Sequence, residues 1–560
     1  MQLTEQAPVS ITNVAPGVIL VDFGKVAFGN LSLIPPNNAS QTITVHFGEA
    51  MTKGRINRHP PGCVRYAVAE VVPEGGKMLQ VSPAPDGRNT KQPAAVLTPP
   101  EWGVVLPFRW VEIEGWPGEM RPNQIRRRAA FASDWKEDAA TFESSDPMLN
   151  RIWDLCHYSI KATTFAGVYV DGDRERIAYE ADAFFSQLGR FYSDGGVQMA
   201  RDTIDRLMAH PTWPTEWAPT MILMAYADWM QTDDTHWLAT HYDALKPKLQ
   251  LDRAQPDGLI HSSRHQMKSG DVVDWPPGER DDFVFTRVNT VANAYHLRAL
   301  LLMSRLARAL NRTAEANNYA ALERTGLATF QKKLFDPKRG LYRDGEGTDH
   351  SSLHANLFPL AFGLVPEAHR ARIAQWLGER GMKCSVYAAQ YLLEGLFENG
   401  ASAQAIALMT APGDRSWRHM VESGTTITWE AWDQSYKTNQ DWNHAWGAAP
   451  ANLLPRFVLG AQSLTPGWRR ALIQPHPGML EQAGGKIPTT LGPIAIQWTN
   501  SGGFDLSLSL PAGMSAQVKI PARENSTGVF LKGEPVHATR DGQWWVLEKD
   551  VTGSSLIEAR

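Results

Sequence analysis

Two stretches far apart in the chain concentrate the residue types that move protons. The first is Asp171-Gly172-Asp173-Arg174-Glu175-Arg176, continuing through Ile177, Ala178, Tyr179, Glu180 and Ala181 to Asp182. It follows an apolar segment at 165–170 and precedes a helical pattern carrying Phe184 and Leu188, so its acids read as a loop entering a helix, where side chains converge. A plainer reading competes, with Asp173 as a helix cap and Arg174 and Arg176 paired to surface acids, because most charge runs are solvated faces. The second stretch is Thr428-Trp429-Glu430-Ala431-Trp432, followed by Asp441-Trp442-Asn443-His444-Ala445-Trp446, in which the Asn-His pair reads as the opening of a helix. A glutamate packed between indoles is costly unless hydrogen-bonded or protonated, so a cleft suits Glu430 better than a closed interior. The competing reading is a Trp-rich loop that plugs a helical ring. Two further loops, 211–217 with Trp213 and Trp217 and 270–277 with Trp275, add indoles beside carboxylates. Sugar rings have an apolar C–H face and a hydroxyl rim, which such a lining matches. Two distant carboxylates flanked by aromatics also meet the requirement of glycoside hydrolysis, with Glu175 and Glu430 as the pair.

The elements that must position these residues fall into three zones. Residues 1–137 alternate short apolar runs with Gly, Pro and Asn, as in Val18-Ile-Leu-Val-Asp-Phe and Pro107-Phe-Arg-Trp-Val-Glu-Ile-Glu-Gly, which predicts an antiparallel β-sandwich. From 138 to 462 helical periodicity dominates. Asp146 is placed to cap a first helix with Pro147 in its first turn, and Leu149, Ile152, Trp153, Cys156 and Ile160 share one face. Further segments are predicted near 176–193, 196–209, 218–231, 233–249, 286–311, 313–335 and 384–398, about twelve helices in all. No sequence period marks a repeat array, so two concentric rings of six are preferred over a solenoid. Strand texture returns in 463–560, which predicts a small terminal β-domain.

Composition narrows the function classes. The chain has 560 residues, 43% of them hydrophobic, so it can bury a large core. A formal charge of −4 offers no electrostatic footprint for nucleic acid or anionic membrane. Three distant cysteines, Cys63, Cys156 and Cys384, suggest neither a disulfide framework nor a Cys-rich metal site. No apolar run is long enough to span a bilayer and no signal peptide is evident, so a soluble, cytoplasmic protein is expected. Of the 20 Trp, about a third are expected around the cleft.

Taken together, the Asp171-Gly-Asp-Arg-Glu-Arg run with Tyr179-Glu-Ala-Asp, the Thr-Trp-Glu-Ala-Trp segment, the Asn443-His444 pair and the 107–115 strand resemble the inverting α-L-rhamnosidases of glycoside hydrolase family 78. The resemblance runs in order over nearly the whole chain. It implies an (α/α)6 barrel between an N-terminal β-sandwich and a small C-terminal β-sandwich domain, with Glu175 as general acid and Glu430 as the general base that activates water. It further implies that Asp171, Tyr179, Trp275 and His444 line the subsite for a terminal L-rhamnose, with Trp217 a neighbour. The substrate would be a small rhamnoside; no metal or cofactor is called for, and a homodimer is expected. The acid loop is shorter than in large members, with Tyr179 where they carry Trp, and the chain has no room for their additional β-domains. An uronide hydrolase or lyase on the same barrel is the alternative, with Arg174 and Arg176 receiving a substrate carboxylate; a non-catalytic sugar-binding protein is another.

Overall fold

The computed structural model describes residues 1–523 and 526–560. The chain begins as an eight-stranded antiparallel sheet organised by one long strand, Val18–Leu33, which pairs with Ser10–Ala15, Leu79–Val81, Leu106–Glu114 and Ile125–Phe131. Its register shifts between Asp22 and Ala27, where the strand can bend and serve both halves of the sheet. The alternation read in Leu106–Glu114 buries Phe108, Val111 and Ile113 in one apolar core with Val21, Val45 and Phe47.

The helical body follows as α1 (Pro147–Ala162), α2 (Glu180–Ser193), α3 (Gln198–Ala209), α4 (Trp217–Thr232), α5 (Thr235–Leu245), α6 (Thr290–Ala309), α7 (Thr313–Leu334), α8 (His354–Ala361), α9 (Glu367–Arg380), α10 (Val386–Glu398), α11 (Ser402–Met409), α12 (Trp417–Glu422) and α13 (Pro450–Leu453). The predicted cap is present: the Asp146 carboxylate accepts from Met148 N and Leu149 N, and the five apolar residues expected on one face of α1 are all buried. Burial separates two rings. Nearly every residue of α2, α8 and α10 is inaccessible, whereas α3, α5, α7 and α9 bury only one stripe. The inner helices touch in the order α2, α4, α6, α8, α10, α13 and back to α2, which closes a barrel.

Three differences from the sequence reading bear on the site. Residues 176–179, expected to be helical, are not: Arg176 has a φ of 55° and Ile177 bridges to Ala95 of the first domain before α2 begins at Glu180. Asn443 and His444 do not open a helix; they lie in extended chain ahead of one 3₁₀ turn, Ala445–Gly447, and α13 starts at Pro450. The segment 233–249 is split, with α5 ending at Leu245 and a 3₁₀ turn over 246–249.

Past Gly460 the chain builds a five-stranded and a seven-stranded sheet. The latter includes Thr141–Ser144 from before the barrel, paired with Gln482–Ile487. Among the described residues no helix is long and apolar enough to cross a membrane.

Candidate active site

Four connections that lead toward inner helices come together at one end of the barrel: 171–179 before α2, 213–217 before α4, 271–275 ahead of α6, and 430–446 ahead of α13. They enclose a cavity of about 120 Å³ lined by Asp171, Arg174, Glu175, Tyr179, Asp182, Trp213, Trp217, Val272, Trp275, Glu430, His444 and Trp446. All seven residues singled out in the sequence are therefore brought together.

The first connection is shaped by its own backbone and by the N-terminal domain. Asp171 N donates to Ile177 O at 2.9 Å and Ile177 N donates back to the Asp171 carboxylate at 2.9 Å, closing a loop from which Arg174 and Glu175 project. Asp173 is not a simple cap. Its carboxylate is buried and accepts from Arg176 at 2.6 Å and from Arg65 of the N-terminal domain, while Asn89 donates to its carbonyl at 2.7 Å. Arg176 also reaches Val105 O at 2.6 Å, so it faces the β-domain and not the cavity.

The same loop is tied to the second cluster. Asn443 accepts from Asp173 N at 2.7 Å and donates to the buried Glu49 at 3.0 Å. Gly172 lies so close to this segment that a Cβ there would stand 2.5 Å from Asp441 Oδ2, which explains a glycine at the position.

The two candidate catalytic carboxylates differ in setting. Glu175 is 38% exposed at its side chain and accepts from Tyr179 Oη at 3.1 Å. Glu430 is 2% exposed; Arg174 donates to both of its oxygens, at 2.6 and 3.0 Å, and Lys437 Nζ lies at 3.2 Å. Arg174 Nε is also 3.5 Å from Glu175, so one guanidinium stands between the two carboxylates. Its width and these contacts hold their nearest oxygens within roughly 9 Å of each other.

His444 sits between two carboxylates, Asp182 at 2.8 Å and Asp441 at 3.1 Å. Burial alone would strip its proton, but Asp441 and Asp182 hold the imidazole well above its usual range, so it is a cation here. Burial pushes Asp171 the other way, well above the usual carboxylate range, against the pull of His444 and with help from Asp441 and Glu175. Glu430, Asp441 and His444 offer ligand atoms within 4.8 Å of one another, a spacing that could hold a metal ion. The donor set argues otherwise: Glu430 is already neutralised by Arg174 and Lys437, and His444 carries a proton where a ligand needs a lone pair.

Three buried polar atoms of the lining have no partner: Asp171 Oδ2, Arg174 Nε and Trp217 Nε1. Such atoms are costly in a closed interior and are satisfied by a ligand bearing hydroxyls.

The remaining loops supply the aromatic wall. Glu216 accepts from Val272 N at 2.9 Å and Val273 N at 3.1 Å, joining the 213–217 loop to the 271–275 loop; burial and the nearby Asp271 raise its pKa to about 7. Asp274 anchors Trp275 from behind by accepting from His354 at 2.6 Å and Ser385 N at 2.9 Å. The tryptophans of the 429–446 segment divide. Only Trp446 of the four reaches the cavity. Trp432 donates to Cys384 O at 2.7 Å and packs edge-on to Trp417, while Trp429 stacks on Trp442 at 5.1 Å, so these three are packing residues. The floor is aromatic as well. Tyr387 of α10 lies 5.7 Å from Trp446 and 6.2 Å from Trp217 between ring centroids, and its hydroxyl meets that of Tyr295 at 2.6 Å.

Five lining residues are not among the seven assigned to the site from the sequence: Arg174, Asp182, Trp213, Val272 and Trp446. Asp182 was legible in principle. It lies three residues after Tyr179 and just inside α2, one turn on toward the same face.

Three family models match the chain: a bacterial α-L-rhamnosidase six-hairpin glycosidase domain over residues 137–458, a bacterial α-L-rhamnosidase C-terminal domain over 460–533, and a bacterial α-L-rhamnosidase concanavalin-like domain over 12–131. Among curated proteins, an α-L-rhamnosidase of Alteromonas sp. (strain LOR) is 24% identical, with 94% of this chain and 59% of that protein covered. One from Streptomyces avermitilis is 22% identical, with 94% and 51% covered. The chain thus spans little more than half the length of these relatives. Among solved structures, the α-L-rhamnosidase of Dictyoglumus thermophilum superposes with a TM-score of 0.80 at 18% identity, covering 100% of this chain and 63% of that one. The S. avermitilis enzyme complexed with L-rhamnose gives 0.79 at 20% identity, covering 100% and 53%.

Proposed function

The chain belongs to the bacterial α-L-rhamnosidase family, and on that premise we propose that it is an inverting, exo-acting α-L-rhamnosidase that removes a terminal α-L-rhamnose from small glycosides. The observation that carries the reading is the pair of carboxylates on one guanidinium at the mouth of a small polyhydroxyl-ready cavity. Glu175, the more exposed of the two, is the general acid that protonates the departing oxygen. Glu430, buried and bonded to Arg174 with Lys437 beside it, is the general base that aligns and deprotonates a water. The spacing under roughly 9 Å is compatible with a water between base and anomeric carbon. Asp171 and Trp217, through their unpartnered atoms, are suited to sugar hydroxyls, and Tyr179, Trp275 and Trp446 to the C–H face; His444, whose two ring nitrogens are taken up by Asp182 and Asp441, holds those carboxylates beside the sugar. The tyrosine floor limits the cavity to a terminal residue.

The uronide reading loses its support, because Arg174 is committed to Glu430 and Arg176 to Asp173 and Val105 O. The test is hydrolysis of an aryl α-L-rhamnoside followed by NMR from the first turnovers. The β-anomer of rhamnose is expected first, and first appearance of the α-anomer would remove Glu430 as base. Glu175→Gln and Glu430→Gln should each lower kcat by about 10²- to 10⁴-fold with the fold intact; unaltered turnover in either would exclude that residue.

A further inference from the structure

Beside the sugar cavity lies a second, larger one of about 570 Å³, which shares Tyr179 and Trp213 with it. One wall is Ile177 and Ala178 of the acid loop, the opposite wall is Pro93 and Ala94 of the N-terminal domain, and Ala209 at the end of α3 closes the side. The walls are fixed in place. Ala95 bridges to Ile177, Val96 N donates to Arg176 O at 2.9 Å, and Arg206 donates to Pro93 O and Ala94 O at 2.9 and 2.8 Å.

The groove begins where a leaving group must emerge. Tyr179, which lines both cavities, donates to Glu175, the group proposed to protonate the departing oxygen. Its polar groups are largely engaged elsewhere. Arg206 spends one nitrogen, Nη2, on the two carbonyls, and the hydroxyl and N–H of Thr212 both donate to Glu180, which leaves His210 and the rest of the Arg206 guanidinium as the polar groups still open in the groove. Against this stands an indole: Trp213 is 58% exposed, unusual for so large an apolar side chain. A sugar in this place would lose hydrogen bonds to water and find few replacements. A flat unsaturated ring would lose little and gain a stacking surface.

We propose that this groove is the leaving-group subsite and that it selects a planar aromatic aglycone attached directly through the glycosidic oxygen. The inference rests on the rhamnosidase reading and deepens it. It is tested by comparing kcat/KM for 4-methylumbelliferyl α-L-rhamnoside with that for a rhamnosyl-glucose disaccharide in the full chain, in Trp213→Ala and in Ala209→Glu. Using the change in the ratio of the two substrates cancels their different intrinsic reactivity. Both variants sit at exposed positions, so the fold should survive. Each variant is expected to lower the aryl-to-disaccharide ratio at least tenfold. Equal losses on both substrates in both variants, or a ratio that rises, would overturn the subsite while leaving the hydrolytic activity in place. No turnover of any rhamnoside by the unaltered protein would overturn the rhamnosidase reading itself, and the subsite with it.

Discussion

At the scale of single residues, the cavity is governed by how charges are paired in a small buried volume. His444 keeps its proton because Asp182 and Asp441 flank it, and the imidazolium in turn offsets the carboxylates around it. A raised histidine pKa means that its favourable pairing is fully present below the ordinary imidazole range and is lost as pH rises through the folded value. Asp182→Asn removes one of the two flanking charges, so His444 should titrate lower than in the unaltered protein. The expected result is an alkaline limb of kcat/KM displaced toward neutrality, with the His444 ring resonance moving in step by NMR. Superimposable pH profiles for variant and unaltered protein would refute that role. Much of this was legible in the sequence: Asp171, Glu175, Tyr179, Trp217, Trp275, Glu430 and His444 all line one cavity. Arg174 was read as a surface partner because its true partner, Glu430, is 256 residues away. The neighbouring indoles misled for a related reason. Trp429, Trp432 and Trp442 carry the same composition signal as Trp446, but only three-dimensional packing decides which face a ring presents.

At the scale of elements, the candidate active site is a meeting of loops, joined to one another and to the inner helices by buried polar side chains. Glu216 fastens 272–273, Asp274 fastens Trp275 to the starts of α8 and α10, and Asn443 fastens the acid loop to the base segment. The close approach at Gly172 is the tightest of these joints. Gly172→Ala would drive a methyl group against Asp441 and separate the acid from the base by a fraction of an ångström to an ångström. Misplacement on that scale costs on the order of 10²-fold in rate. The expected outcome is a fall of that size in kcat, with far-ultraviolet circular dichroism unaltered; full activity would show that the loop yields freely. Helices α1 and α10 were read well because each carries an apolar face and a capping side chain, Asp146 and Ser385. The stretch 176–179 was read as helix because the partner of Ile177, Ala95, belongs to another domain and leaves no local trace.

At the scale of the whole molecule, the N-terminal β-domain helps to hold the candidate site, through Arg65 and Asn89 on Asp173 and Glu49 on Asn443. Glu49 is buried where Arg65 N and Asn443 donate to it, and burial raises its pKa to about 8, with Asp173 and Asp441 adding to the rise. In the unfolded chain it ionises near 4.5. Between these values the folded state binds the extra proton, so stability from this site falls as pH climbs from about 4.5 to 8. Glu49→Gln cannot ionise, and its unfolding free energy relative to the unaltered protein should therefore improve by a few kcal/mol between pH 5 and pH 8. Parallel denaturation curves at both values would count against a buried neutral carboxyl. The three-zone architecture was visible in texture alone, yet this interdomain seam was not, since no pattern in 1–137 announces contact with residue 173 or 443. The floor of Tyr295, Tyr387, Trp217 and Trp446 has a kinetic corollary. Tyr387 backs Trp217 and Trp446, so a sugar seated against those rings would leave toward the mouth, where Glu175 stands exposed. In the proposed hydrolysis the aglycone has to depart first, and the freed sugar backs out behind it. Sugar and fresh substrate then contend for the same empty enzyme, and every turnover includes the time the last product takes to vacate the way in.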